Sequence, residues 1–269
     1  SEMCEAFEAD QFVCFLFRFK EKAQVEATQF VDRLIQSVRD RGGKLQTRSD
    51  NAKLWEVVDG GVHLEEPNHL NPAIFDFTSI ALAGFSTLEE VQMWWNSDQV
   101  FNILKFRDPI EKMGIYVIEG LQKSTDLLER NRFHFGDRIL FFEFMKTLSF
   151  RPLQQYVDDY KRAAETAKQT VGKDCSLLFA ESVSTIFFNE FPLDMVCASS
   201  WRMKPDAHQW YDATLYQEHL MPLRKEYSRC LSLLVPIFPE DRVDDFERAK
   251  KVLSATSKLN SVVRLSQKG

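Results

Sequence analysis

Two charged side chains interrupt otherwise apolar segments, and they are the first candidates for chemistry. Arg18 lies within FLFRF, and Glu143 lies within ILFFEFM. A charge in a buried strand costs free energy unless it meets a partner, water or a cavity. Arg18 and Glu143 are therefore candidates to line a binding pocket. The structural alternative is that they pair with each other or point outward at a strand edge.

Two arginines, Arg107 and Arg224, follow aromatic-rich helical segments at corresponding places in the chain. Each guanidinium could bind an anionic group at a cleft. Alternatively, each arginine neutralises the C-terminal end of its helix or pairs with a carboxylate. The repetition of the arginine favours the structural alternative, and both residues remain binding candidates beside it.

The same helical segments carry aromatic and imidazole side chains. Trp94 and Tyr211 could stack on a planar ligand, although aromatic residues of an amphipathic helix more often pack in a core. His219 lies close to Tyr211 and Tyr216 in the sequence and could exchange protons near neutral pH. The alternative for His219 is an ordinary surface position.

Metal and nucleotide chemistry have less support in the sequence. His63 and His69, with Glu65 and Glu66 between them, could form a site of mixed nitrogen and oxygen ligands, but a long loop does not fix their geometry. The five cysteines are scattered, so neither a disulfide framework nor a CxxC site is indicated. The sequence has no phosphate-binding Gly-rich loop, GxSxG elbow or HExxH motif. No metal and no cofactor are predicted.

Composition and charge limit the class of protein. A net charge of −6 argues against nucleic-acid binding, which needs a clustered cationic face. No apolar segment approaches the ~20 residues of a membrane span. No signal peptide is visible, and the cysteines suit a reducing compartment, so a cytoplasmic location is predicted. The 23 Phe residues, against 10 Gly and 9 Pro, indicate a bulky core that could line an apolar pocket.

The elements that must position these residues follow a regular order in the first half. Apolar or alternating runs predict strands at Phe12–Phe19, Lys44–Arg48, Thr78–Phe85 and Met113–Leu121. Helical spacing predicts one helix around residues 30–38, which ends at Gly42-Gly43. A second helix begins at a capping box, Ser86–Glu89, and runs to about Arg107.

The second half repeats this order. Strands are predicted at Ile139–Met145, Ser176–Ala180, Met195–Met203 and Cys230–Phe238. Helices are predicted over 153–164 and from Pro205 to Arg224. Phe187-Phe188 could extend the second of these strands as a hairpin. A C-terminal helix is predicted within 241–263.

The two halves also share residues at fixed offsets. Trp94-Trp95-Asn96 matches Trp210-Tyr211-Asp212 at an offset of 116 residues, whereas Arg107 matches Arg224 at an offset of 117. One residue has therefore been inserted between the aromatic pair and the arginine. The shared pattern predicts an internal duplication.

A family resemblance rests on the same residues. Trp94–Asp98, Leu104–Arg107 and the closing Ile115–Gly120 resemble an uncharacterised family of short bacterial proteins in the dimeric α+β barrel superfamily. The Gly42-Gly43 turn is similar to that family as well. The segment His219–Pro236 looks like the end of the NIPSNAP proteins, which belong to the same superfamily.

The resemblance implies an architecture more than an activity. In this superfamily two ferredoxin-like units pack sheet against sheet, usually in a homodimer. The implied fold class is therefore α+β, with two tandem ferredoxin-like units forming an intramolecular dimeric α+β barrel, plus a C-terminal helix. The chain would be a monomer, with further dimerisation open. Members include cofactor-independent monooxygenases, lactone isomerases, haem-handling enzymes and proteins without known activity.

The domain and function predictions follow from this architecture. The first unit is placed at residues 1–125 and the second, with the C-terminal helix, at 126–269. The favoured function is binding of a hydrophobic or planar small molecule, with cofactor-independent oxygenase or isomerase chemistry as an extension. The alternative is a non-catalytic scaffold or interaction module that keeps only the barrel. Whether the protein is an enzyme stays open.

Overall fold

The computed structural model of the chain describes residues 9–50, 52, 55–59, 75–120, 139–148, 154–163 and 176–236. The first half contains strands β1 (Gln11–Phe19), β2 (Lys44–Ser49), β3 (Glu56–Asp59), β4 (Ser79–Phe85) and β5 (Ile110–Glu119), with helices α1 (Gln24–Arg39), α2 (Leu88–Trp95) and α3 (Asp98–Leu104). The second half contains β6 (Ile139–Thr147), helix α4 over residues 154–163, β7 (Ser176–Ser182), β8 (Thr185–Asn189), β9 (Met195–Trp201), α5 (Lys204–Tyr211), a π-helical turn (Tyr216–Leu220), α6 (Met221–Tyr227) and β10 (Ser228–Pro236).

The first strand and helix show how the sequence pattern produces these elements. Strand β1 is buried on both faces, as its continuous apolar run predicts. Helix α1 buries Phe30, Leu34 and Val38 along one face, in agreement with the helical spacing. The chain leaves α1 at Gly42, whose φ of 83° lies in the left-handed region that glycine adopts without a Cβ penalty.

Each half forms a ferredoxin-like sheet. Within the first half the strand order is β2-β4-β1-β5, and within the second half it is β7-β9-β6-β10, all antiparallel. The helices of each half cover one face of its own sheet. The predicted α+β class, with two ferredoxin-like units in tandem, is confirmed.

The two halves exchange one strand each. Strand β3 of the first half pairs with β10 of the second, and β8 of the second half pairs with β5 of the first. Each exchanged strand carries a one-residue bulge, at Val58 in β3 and at Phe187 in β8. Because of these bulges, Asp59 and Phe188 occupy matching positions in the two sheets. Each lies beside a residue of the neighbouring strand that faces the helices.

Three apolar layers hold the structure together. One lies between the two sheets, and one lies between each sheet and its helices. The layer between the sheets is rich in aromatic contacts, such as Phe12 with Phe179 at 5.2 Å and Phe77 with Phe144 at 5.2 Å between ring centroids. Aromatic side chains of this size contribute much of the buried apolar area of a core.

Three local predictions were wrong in detail. The capping box of α2 uses Thr87 and Glu90, because the Thr87 hydroxyl accepts from the Glu90 amide at 3.1 Å and the Glu90 carboxylate accepts from the Thr87 amide at 3.2 Å. The helix that follows breaks before Ser97, which caps α3 through its hydroxyl, and ends before Arg107. Strand β8 forms no hairpin with β7, since it crosses to the first sheet.

Some predictions fall outside the described residues. These are the long loop that carries His63 and His69 and the C-terminal helix within 241–263. Among the described residues, no helix is long and apolar enough to cross a membrane.

Candidate functional site

Four polar or sulfur-bearing side chains form a continuous row across the second sheet. Cys197 on β9 pairs with Glu143 on β6, Glu143 pairs with Ser232 on β10, and Ser232 pairs with Asp59 on β3. The row faces the helices of the second half, because the neighbours of Glu143 along β6 at Phe141 and Met145 belong to the layer under those helices. We call Cys197, Glu143, Ser232 and Asp59 the polar row.

Arg224 of α6 lies over the polar row and joins three of its members to one guanidinium. Its Nη1 donates to Glu143 Oε1 and, at 2.7 Å, to Ser232 Oγ. Its Nη2 donates to Asp59 Oδ2. The Arg224 side chain is 1% exposed and that of Glu143 is 0% exposed, so this ion pair is buried.

Two tyrosines complete the hydrogen bonding of Glu143. Tyr156 of α4 donates its hydroxyl to Glu143 Oε2 at 2.9 Å, and Tyr216 of the π-turn donates to Oε1. Burial, and then the charge of Glu143, raise the pKa of both tyrosines well above 10.0. Both phenols therefore stay protonated and serve as donors.

The groups around Arg224 keep its guanidinium protonated. Burial alone would lower its pKa, but the neighbouring acidic groups, Glu143 among them, raise it above the ordinary value. The Nε atom of Arg224 is buried and has no hydrogen-bond partner among the described residues. The guanidinium therefore stays a cation with one donor uncommitted within that part of the chain.

The polar row reaches the surface at Asp59. The Asp59 side chain is 25% exposed and lies 3.7 Å from Lys225 Nζ. Tyr211 is half-buried beside it, and burial followed by the charge of Asp59 raises the pKa of Tyr211 to about 12. We call the partly exposed surface group of Asp59, Tyr211 and Lys225 the mouth.

The equivalent row in the first half is apolar. Ala81 on β4 pairs with Phe15 on β1, Phe15 with Ile115 on β5, and Ile115 with Phe188 on β8. The position of Glu143 is thus occupied by Phe15, whose ring meets Trp94 edge-on at 5.8 Å. The same fold therefore forms with Phe15 in place of the buried carboxylate, while the charge on this side of the first sheet is Arg48 of β2, which pairs with Ala81 and binds Asp32 of α1.

The structure brings together three of the seven sequence-predicted candidates, which are Glu143, Tyr211 and Arg224. Glu143 does not line the space between the sheets, because it faces the helices. It does not pair with Arg18 either, since its cation is Arg224.

The other four candidates lie apart from the polar row. Arg18 is partly exposed and pairs with Asp76 and Glu111. His219 is exposed on the π-turn.

Trp94 is buried in the first half, where its Nε1 donates to Ser37 Oγ at 3.0 Å. Arg107 is partly exposed and binds Glu190 at 3.0 Å, with its guanidinium 5.2 Å from the ring centre of Phe188.

The sequence did not single out Asp59, Ser232 or Tyr156 as functional residues. Asp59 ends a four-residue strand for which the sequence patterns predicted no element. The only signal for it is the short alternating segment WEVVD, which precedes the long loop. Among the described residues, no group of three or more His, Cys, Asp or Glu side chains could hold a metal ion. The His63 and His69 cluster lies outside the described residues.

Comparison with known proteins identifies the fold. No protein-family model matches the chain, and a search of curated proteins found no match. A solved structure described as an anthrone oxidase-like protein matches with a TM-score of 0.52 at 9% identity, over 87% of this chain and 93% of that chain.

Two presumed monooxygenases match with slightly lower scores. The protein from Fusobacterium nucleatum subsp. nucleatum has a TM-score of 0.49 at 8% identity, over 86% of this chain and 94% of its own. The protein from Lactobacillus acidophilus has a TM-score of 0.48 at 7% identity, over 85% and 94%. At such identities the likeness concerns the fold alone. The chain has the dimeric α+β barrel fold, built here within one polypeptide.

Proposed function

We propose that the protein binds a small hydrophobic or planar molecule at the mouth, where Asp59, Tyr211 and Lys225 meet above Arg224. The observation that carries this proposal is the polar row, which leads from the buried Glu143 to the partly exposed Asp59. A buried charge network that ends at the protein surface can orient a ligand through its outermost members.

The comparison between the halves argues that the fold does not need these charges. Burying an ion pair costs desolvation free energy that its mutual attraction often fails to recover. The first half keeps the same strand order with Phe15 and Ile115 at the positions of Glu143 and Ser232. The presence of these charges in the second half therefore favours a role beyond stability.

The mouth offers complementary groups to a planar ligand that carries a hydroxyl. The Tyr211 ring lies 5.0 Å from the ring of Tyr216 and 6.0 Å from that of Phe141. These three rings therefore form an aromatic surface that reaches the mouth. The Asp59 carboxylate can accept a hydrogen bond from the ligand. Lys225 can attract a negative charge on the ligand.

Acid–base chemistry at the same groups is the catalytic extension of this proposal. Asp59 could take a proton from the bound molecule while Arg224 and Lys225 stabilise the negative charge that develops. Proton removal is compatible with both isomerase and oxygenase reactions that use no cofactor. The fold neighbour described as an anthrone oxidase-like protein suggests oxidation chemistry for that protein, and we extend it to this chain only as a proposal.

Native mass spectrometry of the freshly purified chain tests the binding proposal, with the denatured mass as reference. A retained molecule in the wild type and in Arg107→Gln, but not in Tyr211→Ala, is the expected result. Titration with the planar phenol 1-naphthol, followed by its fluorescence, provides a second probe. A clean mass near 31.4 kDa, together with 1-naphthol binding that is absent or unaffected by Tyr211→Ala, would overturn the proposal.

The alternative function is a non-catalytic scaffold, and two observations favour it. The described part of the layer between the sheets is filled by packed apolar side chains. The Arg224–Asp59 bridge connects the two halves and could serve only to hold β3 in register. Under this alternative Asp59→Asn lowers the free energy of unfolding and changes no ligand affinity.

Several finer assignments are proposals as well. The matching bulges at Val58 and Phe187 support an internal duplication. Three further proposals rest on the sequence patterns described above. They are the domain boundary near residue 125, the cytoplasmic location, and the likeness to the short bacterial family or to NIPSNAP proteins.

A further inference from the structure

The residue inserted in the second half lies inside one helix. The helix break after the aromatic pair occurs at Asn96 in the first half and at Asp212 in the second, still 116 residues apart. The arginines that follow, Arg107 and Arg224, are 117 residues apart. The extra residue therefore lies between Asp212 and Arg224.

The π-turn accommodates this extra residue. The backbone N–H of Met221 donates to the carbonyl of Tyr216, five residues earlier, where an α-helix would bond four residues earlier. The corresponding helix of the first half, α3, is a regular α-helix. Short π-turns inside α-helices are frequently found at functional sites.

The hydrogen bonds to Glu143 do not explain why the second half has the extra residue. Tyr216 and Arg224 are eight residues apart, which in a regular α-helix would separate them by ~80° around the axis. The extra residue in the π-turn changes this angle by about 100°. Tyr216 and Arg224 therefore lie within roughly 20° of each other around the helix axis. A helix without the inserted residue would place them seven residues apart and align them equally well.

The π-turn is instead connected to Tyr211 at the mouth. Gln217, within the turn, donates from Nε2 to the backbone carbonyl of Tyr211 at 2.6 Å. The Tyr211 hydroxyl lies 3.8 Å from the sulfur of Met221, whose N–H closes the turn. The Tyr211 ring also lies 5.0 Å from that of Tyr216, the first residue of the turn.

We propose that the π-turn Tyr216–Leu220 is a positioning element that fixes Tyr211 at the mouth. The inference rests on the proposed function, because it gives the inserted residue a role in ligand binding. A π-turn packs less closely than an α-turn, and the first half shows that the fold forms without it. The turn therefore fixes the position and orientation of the Tyr211 ring at the mouth.

Deletion of Glu218, an exposed residue of the turn, tests the proposal against the length-preserving control Glu218→Ala. With ¹³C-labelled tyrosine and methionine, nuclear Overhauser contacts report the Tyr211–Met221 and the Tyr216–Phe141 pairs separately. We expect the deletion variant to fold and keep the Tyr216–Phe141 contact, but to lose the Tyr211–Met221 contact. Its affinity for 1-naphthol should fall at least about fivefold, whereas Glu218→Ala should match the wild type.

Gln217→Ala provides a second test that leaves the helix length unchanged. It should weaken the Tyr211–Met221 contact and the 1-naphthol affinity without altering the Tyr216–Phe141 contact. A deletion variant that keeps the Tyr211–Met221 contact would overturn the proposal. A deletion variant that fails to fold would overturn it too, because the turn would then be a requirement of the fold. If the wild type does not bind 1-naphthol, the contacts still decide the positioning role, separately from the proposed function.

Discussion

Arg224 of the second half binds Asp59 of the first half, and the sequence-equivalent Arg107 of the first half binds Glu190 of the second. Each arginine therefore contacts the exchanged strand of the opposite half or the residue directly after it. The two bridges differ in burial, since the Arg224 side chain is 1% exposed and that of Arg107 is 38% exposed. The two bridges therefore allow a buried and an exposed arginine–carboxylate pair to be compared within one protein.

Replacement of each arginine by glutamine should have very different effects on stability. Arg224→Gln leaves Glu143 as an uncompensated buried charge and should lower the free energy of unfolding by about 3–5 kcal/mol. Arg107→Gln removes a solvent-screened bridge and should cost about 1 kcal/mol or less. Urea unfolding of the two variants beside the wild type measures both values. Equal losses would contradict the burial difference between the bridges.

The sequence predicted the elements that form from local pattern, and it missed what depends on distant pairing. The apolar runs of β1 and β6 and the glycine stop of α1 follow from local residue types. Strand β3 has four residues, and its partner, β10, is the last strand of the other half. Pattern alone could not place it.

The candidate site shows the same division. Glu143 stood out because a charge in an apolar strand needs a partner. The identity of that partner depends on which face of α6 meets the sheet and on the register between β6 and β10. Arg107 and Arg224 look alike in the sequence, yet only Arg224 lies inside a helix that packs against its sheet. Asp59 belongs to the other half, so no local signal connects it with Arg224.

The aromatic layer between the sheets should account for much of the stability. Phe144 is fully buried and contacts Phe77 and Phe142 at 5.2 and 5.3 Å between ring centroids. Phe144→Ala should lower the free energy of unfolding by about 3–5 kcal/mol, because it removes apolar contacts and leaves a cavity.

Phe101 provides the control for this prediction, since it is 63% exposed. Phe101→Ala should change the free energy of unfolding by no more than about 0.5 kcal/mol. Denaturant unfolding of both variants compares them directly. A loss at Phe144 below 1 kcal/mol, on the scale of a surface substitution, would show that the layer is loosely packed.

Replacement of the whole buried ion pair should separate stability from binding. Glu143→Leu alone leaves Arg224 with Asp59 as its carboxylate partner and leaves the buried hydroxyls of Tyr156 and Tyr216 without their acceptor, so it should cost about 3–5 kcal/mol. The double variant Glu143→Leu/Arg224→Met removes both charges and should recover part of that loss, since apolar residues of similar size often replace buried pairs without penalty. The hydroxyls of Tyr156 and Tyr216 stay without their acceptor, which limits the recovery. A double-mutant cycle in urea measures the recovery. Losses that add without coupling would show that the two side chains do not interact.

The same double variant distinguishes the two proposed functions. If the network orients a ligand at the mouth, 1-naphthol affinity should fall even where stability has recovered. If the network only holds the two halves together, the 1-naphthol affinity of the folded double variant should equal that of the wild type. Fluorescence titration at a temperature where all variants are folded compares these outcomes.

The buried tyrosines should make stability fall at alkaline pH. Burial, and then the charge of Glu143, raise the pKa of Tyr156 and Tyr216 above 10.0, so the folded chain keeps protons that the unfolded chain releases. The stabilising contribution of these protons is complete below pH 10 and is lost as pH rises above it, by up to about 1.4 kcal/mol per pH unit for each tyrosine. Cys230, whose pKa burial raises from 9.0 to about 12, adds to the loss from pH 9 upward.

Urea unfolding of the wild type and of Tyr156→Phe/Tyr216→Phe between pH 8 and 11 isolates the contribution of the tyrosines. The double variant should be less stable at pH 8, because Glu143 loses two hydrogen-bond donors. Its stability should nevertheless decline less steeply above pH 10, since phenylalanine cannot release a proton. Parallel declines of the two proteins would mean that Tyr156 and Tyr216 titrate alike in the folded and unfolded chains, and that their hydroxyls are not held as donors to Glu143.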